Sequence, residues 1–235
     1  MRRAVAAEEL LDGPLDDPVV LRGNLRDLAR ANRWLGGVDL SARAIASLAG
    51  GRTALTVLDV GTGGADIPLA LMDRAGRRRE RWQVTGIDSR PEILAGAVAR
   101  QPRLTATQGL ELHVGDGRSL PYPDASFDIA HASLVVHHLE PGEVVRLLTE
   151  MRRVARLGIV VNDLVRSRLA WVGAWLLAHG STRNRFTRHD GPLSVRRAYT
   201  KHELTALAAA AGLRIVATTS GPAGHRWAFA ARSST

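Results

Sequence analysis

The stretch Thr56–Pro68 reads TVLDVGTGGADIP and decides the fold of this 235-residue chain. An aliphatic run ends at Asp59, a glycine-rich turn follows, and a helical pattern begins after it. Glycines let the backbone turn sharply after a buried strand and approach a ligand without a Cβ in the way. The helix that follows has unpaired N–H groups at its start. The stretch therefore predicts a strand–turn–helix unit that binds a nucleotide.

Strand and helix patterns alternate from this unit onward. Their spacing is typical of a parallel sheet with helices on both faces. Right-handed crossovers make such a sheet doubly wound, with ligands at the carboxyl ends of its strands. We predict an α/β, Rossmann-like fold that is mostly parallel and ends in an antiparallel hairpin. The predicted strands are Ala54–Val60, Gln83–Asp88, Glu111–Val114, Phe127–Ala132 and Gly158–Asn162, followed by the hairpin strands Leu213–Thr218 and Arg226–Ala231.

Two segments depart from this alternation. Residues 1–50 show helical patterns only, and this N-terminal preface either packs on the sheet or covers the site as a lid. Residues 164–199 are predicted to be a cap insertion, with an amphipathic helix followed by the polar, arginine-rich segment Gly180–Leu193. A cap at the ligand end of the sheet would contact the substrate, although a solvated surface excursion fits the composition equally well. We predict one domain, in which residues 51–163 bind the nucleotide and residues 200–235 form a last helix and the hairpin.

The composition excludes several classes of site. The chain has no cysteine, so disulfides, thiolate metal sites and cysteine nucleophiles are excluded, and no metal site is predicted. The start lacks the apolar core of a secretory signal, and no apolar run is long enough to span a bilayer. We therefore expect a cytoplasmic protein. The net charge is +9, but arginines are spread along the whole chain, which indicates a composition bias rather than a nucleic-acid surface.

Asp66 decides which nucleotide the turn accepts. A dinucleotide fingerprint needs a small residue three places after its second glycine, where the helix meets the strand, and Asp66 occupies that place. A carboxylate there would repel a pyrophosphate, and Asp59 lies nearby. The lysine of a P-loop is missing as well. The turn therefore suits a ligand with hydroxyls and an ammonium or sulfonium group.

Three motifs follow three predicted strands in order. Asp59–Gly64, which reads DVGTGG, resembles the first motif of the class I S-adenosylmethionine-dependent methyltransferases, and the resemblance extends from about Leu55 to the terminal hairpin. Asp88 matches the family's acidic residue that accepts hydrogen bonds from both ribose hydroxyls. Asp116, in the sequence GDG, matches the aspartate that reaches the adenine amino group. Ala65 departs from the pattern, because many members have a third glycine there.

The resemblance implies that S-adenosylmethionine is the cofactor. His131 lies on the fourth predicted strand, where we interpret it as a residue of the cofactor pocket or of the core. The implied cofactor-binding residues are Asp59, Gly61, Thr62, Gly63, Asp66, Asp88, Ser89, Asp116, Gly117 and His131.

The residues after the fourth strand are the candidates for catalysis. Methyl transfer is an in-line displacement that needs the reactants aligned about 3–3.5 Å apart, and a hydroxyl acceptor must also lose a proton to a positioned base. The chain reads VVHHL here, and the paired histidines resemble those of small-molecule members, in which they line the acceptor pocket with an aspartate after strand five. The resemblance implies that His137 or His138 is the base, with Asp163 as its orienter or a second base. One histidine of an adjacent pair can also simply cap or pack.

The predicted function is methyl transfer to a hydroxyl of a small phenolic, polyketide-like or sugar acceptor. Three alternatives stay open: C-methylation of a quinone precursor, RNA methylation, and a protein that binds the cofactor without transferring methyl. The Asn/Asp-Pro-Pro-aromatic motif of nucleic-acid N-methyltransferases is absent after strand four. This absence argues against DNA N-methylation and makes a nucleic-acid partner unexpected. The sequence identifies neither the acceptor nor the oligomeric state.

Overall fold

The fold is built on one seven-stranded sheet with the order β3-β2-β1-β4-β5-β7-β6, as seen in a computed structural model that describes residues 1–5 and 7–234. β7 runs antiparallel to both of its neighbours, and the other strand pairs are parallel. This arrangement confirms the predicted sheet with its terminal antiparallel hairpin. The strands are β1 (Ala54–Val60), β2 (Arg81–Asp88), β3 (Leu110–Val114), β4 (Phe127–Ser133), β5 (Ala155–Leu164), β6 (Leu213–Ser220) and β7 (Arg226–Ser233).

Helices cover both faces of the sheet, so that its central strands are buried. One face packs against α2, α3 and α4, and the other packs against α6 and α9. The helices are α1 (Pro18–Trp34), α2 (Gly37–Ala49), α3 (Asp66–Arg77), α4 (Pro91–Arg100), α5 (Arg103–Ala106), α6 (Pro141–Val154), α7 (Arg168–Ser181), α8 (Arg185–Arg197) and α9 (Lys201–Ala210).

The strand order reverses between β1 and β4, which are neighbours in the sheet. In open α/β sheets ligands bind at such a switch point, in the crevice beyond the carboxyl ends of the strands. The glycine-rich turn that follows β1 lies at this end of the sheet, as does the turn that follows β4. The topology therefore brings the predicted cofactor motifs and the paired histidines to one crevice.

Local signals in the sequence account for two of the helix starts. The Asp17 carboxylate accepts hydrogen bonds from the backbone N–H groups of Val19 and Val20, at 3.0 and 3.1 Å, and Pro18 takes the first helical position. Thr200 and Glu203 form the predicted reciprocal capping box at the start of α9. Both helices begin where the sequence predicts them to begin.

The structure differs from the sequence prediction at two places that matter for the site. β5 continues to Leu164, because its last residues pair with β7, so Asp163 lies within the strand and not after it. The polar segment Gly180–Leu193 is largely helical, since α8 starts at Arg185. The Asn184 side chain caps this helix by accepting from the backbone N–H groups of Phe186 and Thr187. The buried face of α8 includes Phe186 and Val195. The charged residues around them obscure the helical pattern in the sequence.

Candidate functional site

A cavity of about 1200 Å³ lies at the carboxyl ends of the parallel strands. Its floor is formed by the turns after β1, β2, β3 and β4. Its walls and roof come from residues 8–12, α1, α7 and α8. Of the predicted site residues, all line this cavity except His131 and Asp163. Residues that are far apart in the sequence therefore meet in one place.

The glycine-rich turn adopts the backbone conformation for which glycine is favoured. Gly61 and Gly63 have φ angles of +67° and +53°, and a Cβ on Gly61 would collide with the side chain of Val135. Ala65, where many relatives of this motif have a third glycine, also lies in the left-handed region with φ +50°. Its methyl group is fully buried. The turn thus needs glycine where it packs against Val135 and accepts a methyl group at its end.

Asp88 is held rigidly at the end of β2. One carboxylate oxygen accepts from the backbone N–H of Gly63 and the other from that of Arg90, each at 3.0 Å. Burial raises the pKa of the Asp88 carboxyl, although both backbone hydrogen bonds oppose that effect. The carboxylate therefore links the glycine turn to β2 and keeps lone pairs for hydroxyl donors in the cavity.

Asp66 and Asp116 provide two further carboxylates of the cavity. Burial raises the pKa of the Asp66 carboxyl, and the Asn32 side chain donates to it at 3.1 Å. Asp116 is half-exposed after β3, and Arg118 donates to both of its oxygens. These hydrogen bonds lower the pKa of the Asp116 carboxyl. An acidic cavity of this kind favours hydroxyl and ammonium groups and disfavours phosphates.

His131 is a core residue and does not contact the cavity, which corrects the prediction that it binds the cofactor. Its ring is fully buried. Nδ1 lies 2.5 Å from the Asp59 carboxylate and Nε2 lies 2.8 Å from the Ser41 hydroxyl. β4 pairs with β1 so that His131 stands opposite Asp59. His131 therefore orients Asp59, whose other surface lines the cavity.

Arg226 ties the helical preface to the sheet. Its guanidinium donates to Asn162 Oδ1 at 2.7 Å, to Asn32 Oδ1 at 2.7 Å and to Ser133 Oγ at 2.6 Å. Burial lowers the pKa of Arg226 to about 10, against the attraction of Asp163 and Asp66. Sequence reasoning assigned Arg226 only to a hairpin strand. The sequence signal for this role was that Arg226 is the one arginine of the predicted strand Arg226–Ala231, which is otherwise apolar and follows a Gly-Pro turn.

His137 and Asp163 form a buried pair. His137 Nδ1 lies 2.6 Å from Asp163 Oδ1, and Asp163 Oδ2 accepts from the backbone N–H of Val136 at 2.7 Å. Asp163 is thus both the partner of the imidazole and the cap of the short 3₁₀ turn Val136–His138. Burial opposes ionisation of Asp163, but the charge and hydrogen bond of His137 outweigh it and lower the pKa of that carboxyl.

The turn that carries these histidines is set by Leu134, which has φ +58°. Its backbone N–H donates to the carbonyl of Asn162 at 3.0 Å. A leucine in the left-handed region is uncommon and is held there by its surroundings. The conformation turns the chain back over the end of β4, and both histidines then line the cavity.

His138 contacts the N-terminal segment, which sequence reasoning did not place in the site. His138 Nδ1 lies 3.0 Å from Asp12 Oδ1, and Arg197 donates to Asp12 Oδ2 at 2.8 Å. Burial alone would raise the pKa of Asp12, but His138 and Arg197 outweigh it and bring it to about 2. Glu9 is buried beside both histidines, and this burial raises the pKa of its carboxyl to about 7. The signal for this arrangement was the acidic run Glu8, Glu9 and Asp12 in an arginine-rich chain.

The cap lies over the site, and its exposed arginines agree with the predicted alternative of a solvated surface. Arg183, Arg185 and Arg188 are exposed and do not line the cavity. Asp190 and Arg197 are buried and line it. Leu169 and Leu177 of α7 and the exposed Trp34 form part of an apolar wall.

Among the described residues, no helix is long and apolar enough to cross a membrane.

Comparisons with known proteins point to methyltransferases. Residues 57–158 match the family model described as a methyltransferase domain. A phosphatidylethanolamine N-methyltransferase of Cereibacter sphaeroides is 35% identical over 116 residues, which cover 48% of this chain and 52% of that protein. The ubiquinone/menaquinone biosynthesis C-methyltransferase UbiE of Rickettsia akari is 38% identical over 72 residues, 31% of this chain and 29% of that protein. The chain thus spans about half the length, or less, of these curated relatives.

Among solved structures, the crystal structure of human N-acetylserotonin methyltransferase in complex with SAM superimposes with a TM-score of 0.70. The match covers 98% of this chain and 61% of the human chain. The two sequences are 17% identical, so this likeness shows a shared fold. It includes the helical preface and the cap as well as the sheet, since nearly the whole chain is covered.

Proposed function

We propose that the chain is a class I S-adenosylmethionine-dependent methyltransferase and that it transfers the methyl group of this cofactor to a hydroxyl of a small molecule. The cofactor supplies an electrophilic methyl group on a sulfonium centre. The protein has to bind it, align the acceptor and take up the acceptor's proton. The proposal includes a cytoplasmic location, as the sequence predicts.

The acidic half of the cavity fits this cofactor. Gly61 and Gly63 line the cavity with backbone and no Cβ, so a ligand can approach the turn closely. We propose that Asp88 accepts from the ribose hydroxyls, that Asp116 accepts from the adenine amino group, and that Asp59 and Asp66 face the ammonium group. We call this part of the site the cofactor half, and it also includes Thr62, Ser89 and Gly117.

The observation that carries the reaction type is the His137–Asp163 pair at the border of the same cavity. With Nδ1 directed at Asp163 at 2.6 Å, the remaining ring nitrogen Nε2 is the one available to accept a proton. An imidazole oriented by a carboxylate is the usual arrangement of a general base. We propose that His137 removes the acceptor's proton, that Asp163 positions its ring, and that His138 contacts the acceptor beside it. We call His137, His138, Asp163 and the segments facing them, residues 8–12, α7 and α8, the acceptor half.

The walls of the acceptor half favour an apolar or aromatic acceptor. Leu169 and Leu177 of α7 and Trp34 of α1 contribute apolar surface to the cavity, and the polar groups are concentrated around His137 and His138. A volume of about 1200 Å³ exceeds what a single drug-sized ligand needs, which leaves room for an acceptor beside the cofactor. A phenolic or polyketide-like hydroxyl compound fits this pattern better than a sugar.

C-methylation is the second candidate, because the matched Rickettsia relative is described as a C-methyltransferase. An activated aromatic carbon next to a hydroxyl would also need a base to take a proton, and the same His137–Asp163 pair would serve. RNA methylation is less well supported, since exposed arginines such as Arg103 and Arg156 are paired with Asp73 and Asp128. The position of the methyl group in the product separates O- from C-transfer.

The first experiment is calorimetry of the protein with S-adenosylmethionine, for which we expect one molecule bound per chain. The second is incubation with methyl-labelled cofactor and a panel of phenols, quinols and glycosides, with product mass and methyl position as the readout. Absence of cofactor binding would contradict the proposal as a whole. Cofactor binding without S-adenosylhomocysteine release for any acceptor would instead favour a protein that binds the cofactor and transfers no methyl group.

A further inference from the structure

Three donor atoms of the acceptor half converge on one point. His137 Nε2 lies 3.9 Å from Glu9 Oε1, and His138 Nε2 lies 3.9 Å from Glu9 Oε2. The donor atoms of these three residues all lie within 4.8 Å of one another. Glu9 and His137 are buried, and His138 is partly exposed towards the cavity. None of these separations is a hydrogen bond, so the three groups face one another without a direct link.

Both imidazoles are oriented so that the nitrogen facing Glu9 carries the lone pair. His137 Nδ1 is 2.6 Å from Asp163, and His138 Nδ1 is 3.0 Å from Asp12. A carboxylate at Nδ1 holds the proton on that nitrogen and leaves Nε2 as the acceptor, which is the tautomer of a metal-ligating histidine. Carboxylate–imidazole partners of this kind orient the ligands of metal sites and raise their basicity. Here both histidines have one.

One oxygen of the Glu9 carboxylate lacks the partner that its burial demands. Glu9 is 3% exposed, and its Oε1 has no hydrogen-bond donor among the described residues. The nearest guanidinium nitrogen, Nε of Arg197, is 4.0 Å away, and Arg197 already donates to Asp12. A buried carboxylate oxygen without a donor is rare in proteins. A cation between Glu9 and the two Nε2 atoms would satisfy it.

The segment that carries Glu9 is fixed in place on both sides. The backbone N–H groups of Leu10 and Leu11 donate to the Asp190 carboxylate at 2.8 and 3.0 Å. The Arg90 guanidinium donates to the carbonyls of residues 11, 12 and 13 at 3.4, 3.1 and 3.0 Å. Glu9 is therefore preorganised beside the histidines and is not a side chain on a free terminus.

We propose that Glu9, His137 and His138 form a binding site for a divalent cation of the zinc class. Two imidazole nitrogens and one carboxylate oxygen are a ligand set for such ions, with a fourth position open to the cavity. Tetrahedral coordination at about 2.0–2.2 Å brings donor atoms to roughly 3.3–3.5 Å from each other. The present separations, which are at most 4.8 Å, need to contract by up to about 1.5 Å, which side-chain rotation provides.

The consequence for turnover rests on the proposed function, whereas binding itself does not. The ion takes the Nε2 lone pair of His137, which is the same lone pair that the proposed base uses. Metal binding and proton removal therefore exclude each other, and zinc is an inhibitor of methyl transfer that acts from the acceptor half. The cofactor half contributes none of the three ligands, so zinc should leave cofactor binding unchanged.

The experiment measures zinc binding directly. Protein purified without a histidine tag and freed of metal by chelator dialysis is titrated with zinc chloride by calorimetry, and bound metal is counted by mass spectrometry. We expect one zinc ion per chain with micromolar or tighter affinity. Glu9→Gln should weaken the affinity by at least about 10- to 100-fold, as for the loss of groups that support a metal site. The matched control is Glu111→Gln, at an exposed glutamate of β3 that does not line the cavity, and it should bind zinc as the unmodified protein does.

Three readouts separate the possible failures. Absence of zinc binding, or binding that Glu9→Gln leaves unchanged, would overturn the site. S-adenosylmethionine affinity is measured on the same samples, so that a misfolded variant is recognised and a failure of the proposed function is seen independently of zinc. Stoichiometric zinc should inhibit turnover in the Glu111→Gln control and inhibit far less in Glu9→Gln. Zinc that accelerates turnover would overturn the exclusion between metal and base.

Discussion

The two halves of the cavity are built in different ways. The cofactor half consists of residues that directly follow strands of the sheet, such as Gly61 after β1, Asp88 at the end of β2 and Asp116 after β3. The acceptor half is assembled from segments that are distant in the sequence, and Glu9 and His137 are separated by more than half of the chain. The first half is fixed by strand pairing. The second depends on how the preface and the cap pack over the sheet.

We therefore expect the specificity for an acceptor to lie in the acceptor half. Strand ends in a parallel sheet meet whatever the rest of the chain does, so the cofactor half tolerates change elsewhere. The acceptor half is held by side-chain contacts between inserted segments, such as Arg197 with Asp12 and Asp190 with the backbone of residues 10 and 11. The two halves should therefore respond separately to substitution.

The sharpest way to separate them is to remove the proposed base. His137→Gln should lower kcat by about 10²- to 10⁴-fold, the contribution of general acid–base catalysis, while the dissociation constant of S-adenosylmethionine changes less than threefold. Steady-state kinetics and calorimetry measure the two effects. His202→Gln, on the exposed surface of α9, is the control and should leave both constants unchanged. Full activity of the His137 variant would show that the pair does not carry the base.

Removing Arg226, which joins the helical preface to the sheet, should destabilise the whole molecule. Arg226→Met leaves the acceptor oxygens of Asn32 and Asn162 without their donor, so we expect a loss of about 3 kcal/mol in the free energy of unfolding. For a chain of this size that corresponds to a decrease in Tm of about 6–12 °C. Thermal unfolding followed by circular dichroism measures it. Arg214→Met, at an exposed position of β6, should leave Tm within 2 °C, about the shift expected for 0.5 kcal/mol.

A substitution in the cofactor half should have the opposite pattern to that of His137. Asp88→Asn places an amide N–H₂ against one of the two backbone N–H groups that now donate to the carboxylate. We expect the S-adenosylmethionine affinity to fall by about 10- to 100-fold, the worth of a hydrogen bond to a charged group. At saturating cofactor, kcat should stay near its normal value. Asp124→Asn, at an exposed carboxylate, serves as the comparison, and equal affinities for both variants would argue against a role of Asp88 in cofactor binding.

The smallest expected effect lies in the glycine-rich turn itself. Ala65→Gly relieves a left-handed alanine, which costs about 1–2 kcal/mol, but it removes a buried methyl group worth about 0.8 kcal/mol and adds freedom to the unfolded chain. These effects nearly cancel, so the free energy of unfolding should change by less than about 1 kcal/mol. Chemical denaturation measures this change. Gly61→Ala in the same turn is the contrast, because its Cβ meets Val135, and it should weaken cofactor binding.

The structure brings the residues predicted for the cofactor half to one cavity, as local patterns in the sequence suggested. The strand Ala54–Val60, the turn behind it and the acidic residues at the ends of the next strands each follow from a short stretch of sequence. His131 is the exception. Its place on β4 was predicted, but which side of the sheet it faces depends on the pairing of β4 with β1, and that pairing directs its ring to Asp59 and away from the cavity.

The acceptor half could be predicted only in part. The histidine pair and Asp163 came from a motif, and the structure brings His137 and Asp163 together. Glu9, Asp12 and Arg197 belong to no motif, because their proximity arises from tertiary contacts across more than a hundred residues. The helical nature of α8 was missed for a related reason. Its charged residues alternate with the few apolar ones that pack inward, so that no clear hydrophobic period is visible in the sequence.

The double anchoring of residues 10–12 limits how this scaffold can be re-engineered. Asp190 and Arg197 are buried in α8, and their charges are met by the backbone of residues 10 and 11 and by Asp12. A chimaera that imports only the cap of another scaffold, or only its N-terminal residues, would leave one of these buried charges without its counterpart. Residues 10–12 and α8 therefore form one structural unit. A transplant that is meant to change the acceptor has to move both together.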